Sequence, residues 1–132
     1  MTFNSLIPEL SVKDIVASKK FYLKTLGFIL GYERVEDNFA FVLYNGTQIM
    51  LEQINGNWET GNLTYPFGRG VNFQIKTDEI DELRNKIIKD GYKLFEDIYE
   101  ASYRQGGVLH NLKEFLVQDP DGYLLRFSQT MC

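Results

Sequence analysis

The sequence predicts an α+β protein made of two successive strand–helix–three-strand modules. Three observations lead there. Segments with apolar residues at every second position flank two segments with apolar residues at helical spacing, as in mixed sheets with packed helices. The stretch Val12–Gly27 (VKDIVASKKFYLKTLG) is answered by Ile75–Gly91 with one extra residue. Likewise Phe41-Val42-Leu43 and Ile49-Met50-Leu51 are answered by Phe115-Leu116-Val117 and Leu125-Arg126-Phe127. The chain has 132 residues, 44% of them apolar, with ten Phe, eight Tyr and one Trp. That is the length of about one domain and ample material for a core. Neither module alone buries both a sheet and a helix stripe, so a single domain over 1–132 is expected, with modules at 1–55 and 69–132 around a linker at 56–68.

In order, residues 5–12 (SLIPELSV) alternate as a strand, and from Asp14 the period becomes helical, with Ile15, Ser18, Phe21, Tyr22 and Leu26 on one stripe. Gly27 supplies the left-handed position that ends a helix. Strands follow at 28–35, 39–44 and 47–53, the last two joined by Asn45-Gly46, a two-residue hairpin signal. Residues 54–68 are rich in Gly, Asn and Thr. A strand at 70–76 opens the second module, and Asp78 begins a helix whose stripe is Ile80, Leu83, Ile87 and Ile88. Irregular strand-like segments come next at 93–104 and 113–118, with His110 in a Gly-containing loop between them. Asp119-Pro120-Asp121-Gly122 turns the chain into a last strand at 123–129.

Composition narrows the function. The net charge of −4 disfavours a nucleic-acid partner, whose phosphates need a basic face. The single cysteine, Cys132, excludes an intramolecular disulfide and fits a reducing, cytoplasmic setting. It has no partner motif of a catalytic thiol. The single histidine, His110, removes every site that needs two histidines from one chain, and a lone general base in that loop has little to recommend it. The N-terminal stretch lacks a basic leader region, and no run of residues is apolar enough to span a membrane. No Gly-rich phosphate loop, serine elbow or CxxC occurs.

Three stretches, VKDIVASKKFYLKTLGF at 12–28, VEDNFAFVLYNGTQIMLEQ at 35–53 and EFLVQDPDGYLLRFSQ at 114–129, together resemble the vicinal-oxygen-chelate superfamily, the glyoxalase and bleomycin-resistance group. The resemblance implies paired β-α-β-β-β modules with curled mixed sheets around a cavity, helices outside, and a homodimer. Metal-dependent members of that group carry His, Gln or Glu at positions that fall here near Ile7, Met50, Gly70 and Arg126. None of these is a good ligand, so neither a metal nor another cofactor is expected. The closest branch by resemblance is the bleomycin-resistance one, whose members sequester a flat cationic antibiotic between aromatic side chains.

Alternation sorts the faces. Val71, Phe73 and Ile75, Ile49 and Leu51, and Tyr123, Leu125 and Phe127 are expected toward the helices. Glu9, Ser11, Gln48, Met50, Glu52, Asn72, Gln74, Arg126 and Ser128 are expected on the opposite face, which would be a cavity wall or simply a wet sheet face. By resemblance Phe39 lines the drug cleft and Glu33 lies near its acidic position. Phe41 shares the parity of Phe39, Trp58 lies in the linker, and Asn72 and Asn111 stand where the branch carries tryptophans. Arg126 reads either as a clamp for an anion or as half of an ion pair with Glu9 or Glu52. Tyr103 and Arg104 read as an edge near the site or a solvated edge. The expected ligand-binding set is therefore Glu33, Phe39, Phe41, Gln48, Met50, Trp58, Asn72, Tyr103 and Arg126, with no catalytic residue. It would take an aromatic compound, cationic ones included. A metal-dependent enzyme of the same fold, an acid–base pair such as Glu9 and Glu52, and a binder of an ordinary metabolite remain the alternatives.

Overall fold

The structure, a computed structural model, describes residues 1–131; the readings made for Cys132 lie outside the described residues. Contacts gather the chain into two compact units, Met1–Phe67 and the stretch from Gly68 onward.

In the first unit, β1 (Glu9–Val12) leads into α1 (Ile15–Lys19), which runs on as a π-helical turn over Lys20–Thr25. Strands β2 (Ile29–Arg34), β3 (Phe39–Tyr44) and β4 (Thr47–Gln53) complete a sheet ordered β1-β4-β3-β2, with β1 and β4 parallel and the other pairs antiparallel. Asp14 caps α1 by accepting from the backbone N–H groups of Val16 and Ala17. Gly27 ends the helix at φ +84°, and Asn45 and Gly46 both take positive φ, as the tight hairpin turn requires. The core of this unit is Leu10, Val12, Ala40, Val42, Ile49 and Leu51 from the strands with Ile15, Phe21, Tyr22 and Leu26 from the helix, all buried.

The second unit repeats the scheme. Strand β5 (Asn72–Lys76), α2 (Ile80–Lys89), β6 (Leu94–Gln105), β7 (Val108–Gln118) and β8 (Leu124–Thr130) make a sheet ordered β5-β8-β7-β6. Ile75, Phe115, Val117, Leu125 and Phe127 are buried, with Ile80, Leu83 and Ile87 of α2. Ile88, expected on that stripe, is exposed. Asp119 holds the turn before β8, its carboxylate accepting from the N–H groups of Asp121 and Tyr123 at 2.9 and 3.0 Å.

The two modules correspond, with a different offset from the one the sequence suggests. Gln53 Oε1 accepts the first helical N–H of α1, from Ile15, at 3.1 Å, and Gln129 Oε1 does the same for Ile80 of α2 at 2.9 Å. Matching these glutamines matches Met50 with Arg126 and, through the parallel ladders, Glu9 with Gln74 and Ile7 with Asn72. The extra residue therefore belongs to the first copy, where the π turn accommodates it. Aligning the apolar residues alone hides this.

Other boundaries also move for physical reasons. Strand β1 starts only after Pro8, which has no N–H to give a ladder, although its carbonyl accepts from Met50. Strand β5 starts after Gly70, whose φ of +85° breaks extended geometry, and Val71 is exposed. α2 begins at Ile80, later than Asp78. The strand-like segments on either side of His110 form one long hairpin, β6 with β7, whose register shifts between Leu94 and Tyr99. His110, expected in a loop, lies in β7, pairs with Tyr103, and its ring bonds the Gln105 side chain.

Candidate functional site

The sheet face of the second unit opposite its buried side carries a polar network. Its centre is Glu114 on β7, fully buried. Glu114 Oε1 accepts from the hydroxyls of Tyr99 at 2.9 Å and Tyr103 at 2.7 Å. Arg126 on β8 lies beside it, with Nη1 3.4 Å from Glu114 Oε2 and 3.4 Å from the Tyr103 hydroxyl. Arg126 Nε donates to Asn72 Oδ1 at 3.1 Å, and Nη2 approaches Gln74 Oε1 at 3.4 Å. Gln74 Nε2 donates to the Ser128 hydroxyl. Burial, then the hydrogen bond to Glu114, push the Tyr99 phenol above the ordinary tyrosine range. For Tyr103 the Glu114 bond acts first, then burial, against a lowering by Arg126. Both phenols are therefore neutral donors that stabilise a buried carboxylate.

The corresponding face of the first unit is aromatic and acidic. Tyr32 stacks on Phe41 with ring centroids 5.2 Å apart and lies 5.8 Å from Phe39. Phe3, from the N-terminal segment, meets Phe41 edge-on at 5.5 Å, and Gln48 ties that segment down by accepting from Asn4 N–H and donating to the Thr2 carbonyl. Phe39 and Phe41 are consequently buried. The Arg34 guanidinium lies 4.0 Å from the centre of the Phe39 ring while Arg34 Nε donates to Asp37 at 2.9 Å. Next to this pair is a cleft of about 460 Å³ lined by Glu36, Asp37, Asn38, Glu52, Asn55 and Asn57. Burial, and after it the charge of Glu52, raise the Glu9 carboxyl above its ordinary value, against a smaller lowering by Arg34.

The structure groups the expected residues into two sets. Phe39, Phe41, Gln48 and Met50 share the first unit's face, Gln48 engaged by the N-terminal segment. Asn72, Tyr103 and Arg126 come together in the second unit's network. Glu33 sits on the helix side of its sheet, cross-strand from Ala40, and pairs with Lys19 of α1. Trp58 is exposed with a left-handed backbone. The carboxylate partner of Arg126 is Glu114, not Glu9 or Glu52. Sequence reading missed Glu114, Tyr99 and Arg34. The one available signal for Glu114 was parity, since a charge two residues before Leu116 shares the face of Arg126.

The metal that members of this fold use finds no match in the donor set. After the corrected offset the four positions are Ile7, Met50, Asn72 and Arg126. The Asn72 carbonyl oxygen is engaged by Arg126, and a guanidinium cannot ligate a cation. Among the described residues no group of three or more His, Cys, Asp or Glu is placed to hold a metal ion. No helix of the described residues is long and apolar enough to cross a membrane.

Comparison with known proteins places the chain. A family model described as the glyoxalase/bleomycin resistance protein/dioxygenase superfamily matches residues 4–127. Among solved structures, a superfamily member from Vibrio splendidus is 33% identical, with 93% of this chain and 95% of that chain covered and a TM-score of 0.45. A glyoxalase/bleomycin resistance protein/dioxygenase from Alicyclobacillus acidocaldarius is 20% identical over 98% of this chain and 92% of its own, with a TM-score of 0.67. An integron cassette protein from Vibrio cholerae is 22% identical over 98% and 97%, at 0.70. None of the curated proteins matches. With its two β-α-β-β-β units and a family match over nearly its whole length, the chain belongs to the glyoxalase/bleomycin resistance protein/dioxygenase superfamily.

Proposed function

We propose that the protein sequesters a flat aromatic compound, cationic ones preferred, without a metal and without transforming it. The observation that carries this reading is the Arg34 guanidinium held 4.0 Å over the Phe39 ring beside the acidic cleft. A planar delocalised cation against a ring face, with Asp37 as its counter-ion, is the chemistry an aromatic cation would bring. Arg34 is exposed and held by a surface ion pair with Asp37 and a hydrogen bond with Tyr32, and a surface ion pair of that kind costs a displacing ligand little. The cleft volume suits a drug-sized molecule, and antibiotics are the compound class that the family resemblance suggests. Assembly as a homodimer belongs to the same proposal and is read by light scattering.

Ethidium, a flat aromatic cation, tests the reading in a calorimetric titration. Wild type binds it, Arg34→Ala binds it more tightly, and Phe39→Ala weakens it by about tenfold, the worth of one desolvated cation–ring contact. Equal affinity in wild type and Phe39→Ala would refute the placement.

A further inference from the structure

We propose that the polar face of the second unit is a binding site for a carboxylate carried on an apolar body. The inference goes beyond the cation cleft, which lies in the first unit, and does not rest on it. It follows from the hydrogen-bonding valences of the network.

Arginine only donates. The Asn72 and Gln74 side chains must therefore present their oxygens to Arg126, at 3.1 and 3.4 Å, and the orientation of both amides is settled by chemistry. Their NH₂ groups are then turned away from the guanidinium. One hydrogen of Gln74 Nε2 goes to the Ser128 hydroxyl. Its other hydrogen and both on Asn72 Nδ2 have no acceptor among the described residues. The guanidinium itself has five N–H groups and four neighbours, three of them at 3.4 Å, the weak end of hydrogen bonding. Glu114 meets the guanidinium only through Oε2, at 3.4 Å, while two phenol hydroxyls at 2.7 and 2.9 Å engage its Oε1. The acceptors of the network thus point inward at Arg126, and its unspent valences are N–H donors. Such a surface is complementary to an oxyanion, and the flat fork of Arg126 favours a carboxylate.

The surroundings define the rest of the ligand. Leu124 stands cross-strand from Asn72 and Leu116 from Arg126, on the same face, and the Tyr103 side chain reaches over the network to Glu114. A small apolar or aromatic body next to the carboxylate has a surface to cover. A purely structural network makes no use of outward amide hydrogens, so the two roles separate experimentally.

The probe is benzoate, with benzyl alcohol as its neutral counterpart, titrated by calorimetry. The variant is Asn72→Asp with Gln74→Glu. It keeps every acceptor that Arg126 uses and replaces the outward N–H groups by oxygens that repel an anion. Wild type should bind benzoate and ignore benzyl alcohol. The double variant should unfold no earlier than wild type when no probe is present, yet bind benzoate at least about tenfold more weakly, the effect of losing hydrogen bonds to a charged group. If the double variant does not fold, Asn72→Asp alone carries the same expectation. Three outcomes would overturn the proposal: no benzoate binding by wild type, equal affinity for benzoate and benzyl alcohol, or a variant that binds benzoate as well as wild type does.

Discussion

Glu114 brings a carboxyl group into a fully buried position, and three neighbours hold it there: the hydroxyls of Tyr99 and Tyr103 and the guanidinium of Arg126. Glu114→Ala strands all three, so it is expected to lower unfolding free energy by about 1–3 kcal/mol in urea titrations. Arg126→Ala costs less, because the phenols still hold the carboxylate and the Arg126 side chain is partly exposed. In the first unit the sign is reversed at Glu9. Burial and the Glu52 charge raise its carboxyl, so the fold favours the protonated form. That contribution is complete below the ordinary carboxylate value of about 4.3 and is lost as pH rises through the folded value. Glu9→Gln is therefore expected to raise the melting temperature at pH 7, and the gain should vanish in acid. The second module already carries Gln74 at the matching place. At this scale parity in the sequence placed Asn72, Gln74 and Arg126 on one face. It did not disclose Glu114, because a carboxylate opening the apolar run EFLV looks like a strand end until its two phenol partners are brought to it by the hairpin.

Elements were legible where local chemistry decides them. The Asp14 cap, the Asn45-Gly46 turn and the Asp119 turn each have a side chain or a positive φ that needs no tertiary context. The long β6–β7 hairpin was legible only in part: β6 and the inner end of β7 were read as strand-like, while the outer start of β7 around His110 was read as a loop. Its outer half is mostly exposed on both faces, so it lacks the one-sided apolar alternation that announces a strand. The π turn was hidden, since one inserted residue leaves the apolar stripe of α1 intact. Gly68 shows how tightly one joint is set. Its φ is +70°, and a Cβ there would stand 2.6 Å from Tyr123 Cδ1. Gly68→Ala is expected to cost about 1–3 kcal/mol, read as a lower midpoint in thermal or urea unfolding.

Over the whole molecule, duplication of one β-α-β-β-β unit explains why the family could be read from the sequence while the site could not. Both copies keep the topology and the glutamine that caps the helix. Their free faces have diverged. One is aromatic and rimmed by carboxylates, the other is a donor-rich network around a guanidinium. Apolar packing repeats because each copy must bury the same surfaces. The free faces have no such constraint, and their chemistry depends on cross-strand partners that alternation alone does not pair. The net charge of −4 draws cations to the molecule as a whole, an attraction that added salt screens.

The central claim is capture of a flat cation at Phe39 with no metal involved. The direct test is an ethidium titration of protein freed of metals by exhaustive chelation, run beside untreated protein and Phe39→Ala. Equal affinity in the two wild-type samples and about tenfold weaker binding by Phe39→Ala is the predicted result. Binding that disappears on chelation and returns with a divalent metal, or that ignores the loss of Phe39, would contradict it.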